Sequence, residues 1–273
     1  MHLRRMLAHL EATGELENTI VIVTSDNGMP FPRAKANAYE CGVHVPLAIR
    51  YPANFPGGRT IRQPVGFIDL APTILEATGT ASRGMLPITG TSLLKLLRSN
   101  DVAPDGDTER AVFSGRERHS SARYLNRGYP QRSVRKGGYL LVWNLKTDRW
   151  PAGAPQRYSP EDSSQLWPMH GVGTDGNFLP GGAYTDIDDC PAKTLMVEHY
   201  DDRKWQSYFE LATAKRPEYE LFRVDADPDC LVNLAVDAAY AGVLESLRTE
   251  LKQELERTDD PRVVGPDREV FDS

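Results

Sequence analysis

A run of β-branched residues that ends in an acid, an amide and a glycine constrains the fold more than any other feature. Residues 19–28 read TIVIVTSDNG, and every residue from 20 to 24 is β-branched. Such a run predicts a strand that is buried on both faces and has parallel neighbours and covering helices. In open α/β sheets, ligands collect just past the carboxyl end of such a strand. We therefore expect an α/β fold with a binding site that begins at residue 26.

Asp26 and Asn27 offer the chemistry of a metal site at that position. A carboxylate beside an amide carbonyl supplies two hard oxygen ligands, which suit calcium or magnesium. The alternative is a plain turn, because Asp, Asn and Gly are also the residues that turns prefer. These residues alone leave both interpretations open, and the segment that follows them favours the metal site.

The segment after the strand carries a family resemblance. Residues 29–50 read MPFPRAKANAYECGVHVPLAIR. Together with the preceding TSDNG, they resemble the sulfatase family of the alkaline-phosphatase superfamily, in which a lysine or arginine and then a YEGGxRxP-like segment follow the strand. This chain has Cys41 where a glycine is usual and His44 where an arginine is usual. We interpret His44 as a structural histidine rather than a catalytic one.

Further segments extend the resemblance over nearly the whole chain, and the heparan N-sulfatase (N-sulfoglucosamine sulfohydrolase) branch is the most similar. They are DLAPTIL at 69–75, GTSLL at 90–94, SGRERH at 114–119, GYPQRSVR at 128–135, and ELF at 220–222 through NLA at 233–235. The resemblance implies part of an alkaline-phosphatase-like layered sheet domain, followed by a smaller α+β C-terminal subdomain. A polar, turn-rich stretch at 100–108 places the predicted boundary between residues 1–106 and 107–273.

The resemblance implies roles for residues in the first of these segments. Asp26 and Asn27 correspond to two oxygen ligands of an active-site calcium ion, which would polarise the sulfate oxygens. Lys35 falls where the family places a cationic catalytic residue that contacts the sulfate as a point charge. Arg33 is the second candidate for binding substrate, because a guanidinium suits bidentate contact with an oxyanion. A solvated surface lysine is the alternative for Lys35.

The SGRERH segment is the predicted sugar-facing region. By resemblance, Glu117 would accept hydrogen bonds from sugar hydroxyls or an amine, and Arg116 and His119 would meet anionic groups of the substrate. The alternative is an ordinary run of solvated charged residues, and the residues alone do not choose between the two.

The nucleophile of the family is not found in the sequence. Sulfatases use a formylglycine made from a Cys or Ser in the pattern Cys/Ser-x-Pro/Ala-x-Arg, and none of the cysteines or serines here begins that pattern. The acidic pair that completes the family's metal site is not found either. We therefore expect the C-terminal part of a longer enzyme, in which calcium is shared with ligands outside these residues and formylglycine belongs to the full-length protein.

The expected function is hydrolysis of sulfate esters or sulfamates on sulfated sugars, with negligible turnover by this chain alone. The alternatives are an inactive remnant that binds sulfated carbohydrate, and a phosphatase or phosphodiesterase relative. A net charge of −6 implies no general affinity for nucleic acid or anionic membranes. No stretch approaches the ~20 apolar residues of a membrane helix. An exposed sheet edge would allow self-association.

Periodicity predicts several elements outside these segments. Leu3, Met6, Leu7 and Leu10 mark one face of a helix at the start of the chain. Strands are predicted at 45–49, 111–114, 132–135 and 139–143, and helices near residues 69 and 91. Residues 150–193, rich in Pro, Gly and aromatic residues, predict a long excursion with little regular structure. A helix is predicted at 238–257, with Val243, Leu247, Leu251 and Leu255 on one face.

Overall fold

The structure is a computed structural model that describes residues 2–99, 109–119, 121–265 and 271. The helices in these residues are α1 (His2–Ala12), α2 (Glu40–Val43), α3 (Leu70–Thr78), α4 (Leu94–Arg98), α5 (Pro191–Glu198), α6 (Gln206–Thr213) and α7 (Ala241–Arg257). The strands are β1 (Val21–Thr24), β2 (Leu47–Arg50), β3 (Val112–Arg116), β4 (Gln131–Lys136), β5 (Tyr139–Asn144) and β6 (Tyr219–Arg223). The predicted boundary at 106 and 107 lies outside the described residues and stays a prediction.

The chain divides into two compact units. Unit 1 comprises Met1–Ser25 and Pro46–Val112, and unit 2 comprises Asp26–Val45 and Phe113–Ser273. The segment 26–45, which carries the predicted metal ligands and Lys35, therefore belongs with the C-terminal part of the chain rather than with the strand that precedes it. None of the described helices is both long enough and apolar enough to cross a membrane.

Unit 1 contains a two-stranded antiparallel sheet. β1 pairs with β2, from Val21 opposite Arg50 to Thr24 opposite Leu47. Val23 and Thr24 are exposed and the rest of β1 is half-buried. The prediction of a doubly buried parallel strand is therefore wrong for the described residues, because β2 is the strand that pairs with β1 and no layer covers its carboxyl end.

Asp69 ties together two of the family-like segments of unit 1. Its buried carboxylate accepts hydrogen bonds from the main-chain nitrogens of Gly66 and Thr91 and an ion pair from Arg110 at 2.7 Å. A Cβ at Gly90 would lie 2.0 Å from the main-chain oxygen of Ile68. The segments at 69–75 and 90–94 thus stabilise the packing of unit 1. The hydrophobic core of this unit includes Phe55, Leu93, Leu94 and Leu97.

Unit 2 is built on a four-stranded sheet in the order β3-β4-β5-β6. β5 pairs antiparallel with both β4 and β6, with Leu140 opposite Phe222 and Val142 opposite Glu220. Helix α7 follows β6 in sequence, and its residues Leu247, Leu251 and Leu255 are buried as predicted, at one-turn spacing. The strands predicted at 111–114, 132–135 and 139–143 are confirmed as β3, β4 and β5.

Tyr39 fixes the segment 26–45 against this sheet. Its fully buried ring meets Phe222 edge to face, with centroids 5.6 Å apart, in a cluster with Leu140 and Val142. Its hydroxyl donates to Glu220 at 2.8 Å. Burial raises the pKa of Tyr39 well above its ordinary value, so the hydroxyl keeps its proton and remains a donor. One aromatic side chain therefore anchors the loop that carries the site.

The long excursion has the predicted character. Between Trp150 and Cys190 the described residues form one short 3₁₀ turn and two isolated bridges, and regular structure resumes at α5. The excursion nevertheless has a core, in which Phe178, Ala183, Tyr184 and Ile187 pack against residues of α5 and α6. This core holds residues 186–188 in place, which matters for the site.

Candidate functional site

Two glycines allow the segment 26–45 to fold back on itself. The Gly28 nitrogen donates to the Gly42 oxygen at 3.0 Å. A Cβ on Gly28 would lie 2.1 Å from the main-chain oxygen of Cys41, and one on Gly42 would lie 2.4 Å from the oxygens of Ala34 and Asn37. Glycine is needed at both positions for close backbone approach. The DNG sequence is therefore more than a turn, since its glycine closes the base of the loop.

Asp26 and Asn27 lie at the start of this loop, directly before Gly28. Asp26 is exposed and Asn27 is half-buried. Their oxygens are of the hard type that calcium prefers. Within the described ranges, no group of three or more His, Cys, Asp or Glu side chains is arranged to hold a metal. The donor types therefore fit calcium, but a complete coordination shell would need ligands besides these two.

Lys35 is positioned by tight turns that follow Gly28. Its main-chain nitrogen donates to the Met29 oxygen at 3.1 Å, and Ala34 donates to Phe31 at the same distance. The side chain extends to Asp188, where the ammonium lies 2.7 Å from a carboxylate oxygen. About a third of each side chain remains exposed. Lys35 is thus neither a freely solvated lysine nor a buried one.

His119 links that ion pair to a buried carboxylate. Its Nε2 lies 3.8 Å from an oxygen of Asp188, and its Nδ1 lies 3.1 Å from the main-chain oxygen of Asp186 and 3.4 Å from its carboxylate. The side chain of Asp186 is 1% exposed. Lys35, Asp188, His119 and Asp186 therefore form one continuous chain of polar contacts, which we call the Lys35 relay.

Arg116 and Arg123 close the buried end of the Lys35 relay. The Asp186 carboxylate receives an ion pair from Arg116 at 2.7 Å and another from Arg123 at 3.0 Å. Both arginine side chains are about nine-tenths buried. The structure thus brings together three of the predicted site residues, Lys35, Arg116 and His119, but it places Arg116 against a buried acid rather than at the surface.

Glu117 points into a different network. Its carboxylate pairs with Arg132 at 2.7 Å and with Arg262 at 2.9 Å, and Arg132 also pairs with Asp260 at 2.7 Å. Both arginines are at least nine-tenths buried. These contacts use both oxygens of Glu117 and tie β3 and β4 to the end of the chain. Its predicted contact with a sugar stays a prediction, and the geometry favours a structural role.

The side chain of Arg33 packs against other parts of unit 2. Its guanidinium stacks over the Tyr39 ring at 4.1 Å and donates to the main-chain oxygens of Leu211 and Cys230. These contacts use both terminal nitrogens of the guanidinium. The structure therefore does not place Arg33 beside Lys35 as a second sulfate ligand, although its substrate role remains a prediction that the contacts do not favour.

His44 is paired with Glu40, as expected of a structural histidine. Its Nδ1 lies 2.9 Å from the Glu40 carboxylate. The hydrogen bond that His44 donates to the Glu40 carboxylate raises the pKa of His44, and burial partly opposes the rise. Burial tends to raise the pKa of Glu40, but the hydrogen bond from His44 and the charge of Arg135 outweigh it and lower the pKa.

Asp186 and Asp188 are the site residues that sequence reasoning missed. The sequence TDIDDC at 185–190 lies in the excursion, far from the DNG strand. Neither aspartate follows a strand, so no pattern connects them with Lys35. The available signal was composition alone. An acidic cluster in a long irregular segment needs cationic partners if any of its carboxylates is buried.

Comparison with known proteins adds the family. A sequence model of the sulfatase family matches residues 1–80. The N-sulphoglucosamine sulphohydrolase of Homo sapiens is 30% identical over 270 residues, which are 96% of this chain and 46% of that protein. The sequence is thus similar to sulfatases over nearly the whole chain. An ulvan-active sulfatase from Formosa agariphila is 39% identical over 250 residues, 90% of this chain and 34% of that protein.

The sulfatase fold is also found in solved structures. A protein determined in complex with its substrate, D-glucosamine-2-N,6-O-disulfate, matches with a TM-score of 0.58 at 20% identity and covers 96% of this chain. The match covers 39% of that protein. The predicted alkaline-phosphatase-like fold is thereby confirmed. The chain spans less than half the length of each of these three relatives.

Proposed function

We propose that this chain forms the sulfate-contacting and sugar-contacting part of a sulfatase site that acts on sulfated sugars. The observation that carries the proposal is the position of Lys35. It is a partly exposed cation in the loop that starts at Asp26, and its ammonium is paired with Asp188. The relatives named above act on sulfated glucosamine or ulvan by their names, which supports the substrate class.

Lys35 would bind one sulfate oxygen as a point charge and hydrogen-bond donor. Because Asp188 already engages the ammonium, an incoming sulfate must share it or displace the carboxylate. A partly exposed ion pair contributes only about 0–1 kcal/mol, so an anion with further contacts can displace it. His119, next to Asp188, would then contact the substrate or pair with the Asp188 carboxylate that Lys35 has released.

Asp26 and Asn27 would supply two oxygen ligands to a calcium ion. When bound, calcium would polarise the sulfate and stabilise negative charge in the transition state. Asp26 as a carboxylate and Asn27 as a neutral carbonyl would bring one negative charge to the ion. The 273 residues contain no Cys/Ser-x-Pro/Ala-x-Arg pattern, so the proposal assigns no nucleophile to this chain.

Calorimetry on the purified chain tests this function. N-sulfoglucosamine, glucosamine and glucosamine 6-phosphate are titrated separately in calcium buffer, and released sulfate is measured by ion chromatography. Saturable binding of the sulfated sugar, at least tenfold tighter than glucosamine and without sulfate release, is the expected result. Equal affinity for all three sugars would contradict it.

The same experiment separates the alternatives. Preference for the phosphorylated sugar would favour a phosphatase or phosphodiesterase relative, and rapid sulfate release would show that the chain carries its own nucleophile. Repeating the titration of N-sulfoglucosamine with EGTA, and with Asp26→Ala, tests the metal. Both should weaken binding if calcium contributes, and a variant with unchanged calcium affinity would remove Asp26 from the ligand set.

A further inference from the structure

The interior of unit 2 contains a group of buried hydrogen-bond donors that lack partners. Among the described residues, none accepts a hydrogen bond from Nε or Nη1 of Arg116, from Nε of Arg123, from Nε of Arg216 or from the Tyr129 hydroxyl. Three buried acceptors, Oδ1 of Asp186, Oε1 of Gln131 and Oε2 of Glu40, are likewise unpartnered, so unpartnered donors outnumber unpartnered acceptors. Tyr129 is fully buried, and the three arginines are about nine-tenths buried. Buried donors in folded proteins are almost always satisfied, so several unpartnered ones together call for an occupant.

The three arginines lie around one aromatic ring. The guanidinium carbons of Arg116, Arg123 and Arg216 lie 5.6, 5.7 and 6.0 Å from the centre of the Tyr129 ring. Burial is the main cause that lowers the pKa of Arg116. Asp186 opposes this effect, while the charges of Arg216 and Arg123 add to it. The three cations are therefore close enough to repel one another, which is costly in a buried position.

The carboxylates near these arginines do not balance their positive charge. Asp186 pairs with Arg116 and Arg123. Glu220 is held by Tyr39 and by the side-chain amide of Asn144, both at 2.8 Å. Among the described residues around Tyr129, three guanidinium groups (Arg116, Arg123 and Arg216) thus face two carboxylates (Asp186 and Glu220). Water would satisfy the donors but would leave the extra positive charge buried.

We propose that Arg116, Arg123, Arg216 and Tyr129 form a buried binding site for a small tetrahedral oxyanion, such as inorganic sulfate or phosphate. An oxyanion accepts several hydrogen bonds at once and supplies the missing negative charge. Burial raises the pKa of Tyr129 to about 12, so its hydroxyl is a donor at neutral pH and suits an anion. We call this the Tyr129 site.

The Tyr129 site would stabilise the Lys35 relay. Arg116 and Arg123 are the cations that hold Asp186, and Asp186 holds His119. An anion that neutralises the excess charge would keep both guanidinium groups in place and so keep Asp186 positioned. The anion would be a structural ligand, and its binding does not depend on whether Lys35 contacts a substrate.

Crystals of the native-methionine chain soaked in selenate test the site. An anomalous selenium peak within hydrogen-bond distance of Arg116, Arg123 or Arg216 is expected. Absence of the peak, or a peak at surface residues only, which would mark an adventitious ion only, would overturn the proposal. Water would then be the occupant.

Two variants sharpen the test. Tyr129→Phe removes one donor without changing the ring, and should weaken sulfate binding about tenfold, as expected for a hydrogen bond to a charged group. Lys35→Met should leave the selenate peak in place, which separates this site from the proposed substrate contact. If Tyr129→Phe does not fold, the selenate map of the unaltered chain still decides.

Discussion

The ammonium nitrogen of Lys35 lies 2.7 Å from a carboxylate oxygen of Asp188, although the two residues are 153 positions apart. This ion pair joins the loop after the DNG sequence to the long irregular excursion of unit 2. It also makes Asp188 the first group that an incoming sulfate would compete with. The contact therefore links the fold of unit 2 to the anion affinity of Lys35.

Asp188→Asn should increase the affinity for N-sulfoglucosamine about threefold to fivefold. Removing the carboxylate removes both the competitor for the ammonium and a charge that repels sulfate, and exposed charge pairs of this kind contribute up to about 1 kcal/mol. Titration calorimetry at low salt measures the effect. Asp189→Asn is the matched control, because Asp189 pairs with Lys193 instead. A loss of affinity in Asp188→Asn would mean that the carboxylate positions Lys35 rather than competes for it.

Gly28→Ala should destabilise the chain by roughly 2–4 kcal/mol, because a Cβ placed 2.1 Å from the Cys41 oxygen forces the backbone apart. Urea unfolding measures the change. Gly242→Ala is the control, since a Cβ there meets nothing within 4 Å and alanine is favoured in a helix. If both variants unfold at the same urea concentration, the close approach at Gly28 does not exist.

The strand and its DNG ending show how far sequence patterns lead. β-branched residues predicted β1, and helical periodicity predicted α1 and α7, because each of these signals is local. The direction in which β1 pairs with its neighbour depends on residues that are distant in sequence. β1 pairs antiparallel with β2 and is half-exposed, and the residues of a strand do not encode which neighbour it will meet.

The candidate site shows the limit more sharply. Lys35 could be predicted from the motif, but its partner Asp188 could not, since tertiary packing of the excursion alone brings it near. Arg116 and Glu117 are adjacent in sequence, yet they alternate along the chain into two separate networks, one at Asp186 and one at Arg132 and Arg262. A run of charged residues in a sequence does not indicate which of them will join which ion-pair network.

Glu117→Gln should lower the free energy of unfolding by roughly 2–3 kcal/mol and leave the affinity for sulfated sugar unchanged. The substitution removes a carboxylate that pairs with both of the buried residues Arg132 and Arg262, and removing one partner from a buried ion pair is destabilising. Chemical denaturation and calorimetry give the two quantities. Glu256→Gln, at an exposed pair with Lys252, is the control. Lost sugar binding with unchanged stability would restore the substrate role of Glu117.

The His44–Glu40 pair should contribute to stability only in a mildly acidic window. The folded pKa of His44 is raised, so its contribution is complete below the ordinary value of 6.5 and is lost as pH rises through the folded value. The folded pKa of Glu40 is lowered, so its contribution is present above 4.5 and is lost as pH falls through its folded value. His44→Gln should therefore cost about 0.5 kcal/mol between these values, the small size reflecting the exposure of His44.

Unfolding curves at pH 5.5 and at pH 8 measure this difference for the original chain and for His44→Gln. The gap between the two proteins should be present at the lower pH and close at the higher one. A gap that is equal at both values, or larger at pH 8, would show that His44 does not act as a charged partner of Glu40.

The role of Lys35 is tested most directly by titrating N-sulfoglucosamine into the Lys35→Met variant. Lys252→Met serves as the control, since Lys252 is an exposed lysine on α7 that pairs only loosely with Glu256, at 3.7 Å. Lys35→Met is expected to lose at least tenfold in affinity for the sulfated sugar and little for glucosamine, while Lys252→Met should bind both as the original chain does. Equal affinity of Lys35→Met and the original chain for N-sulfoglucosamine would show that Lys35 does not contact the sulfate.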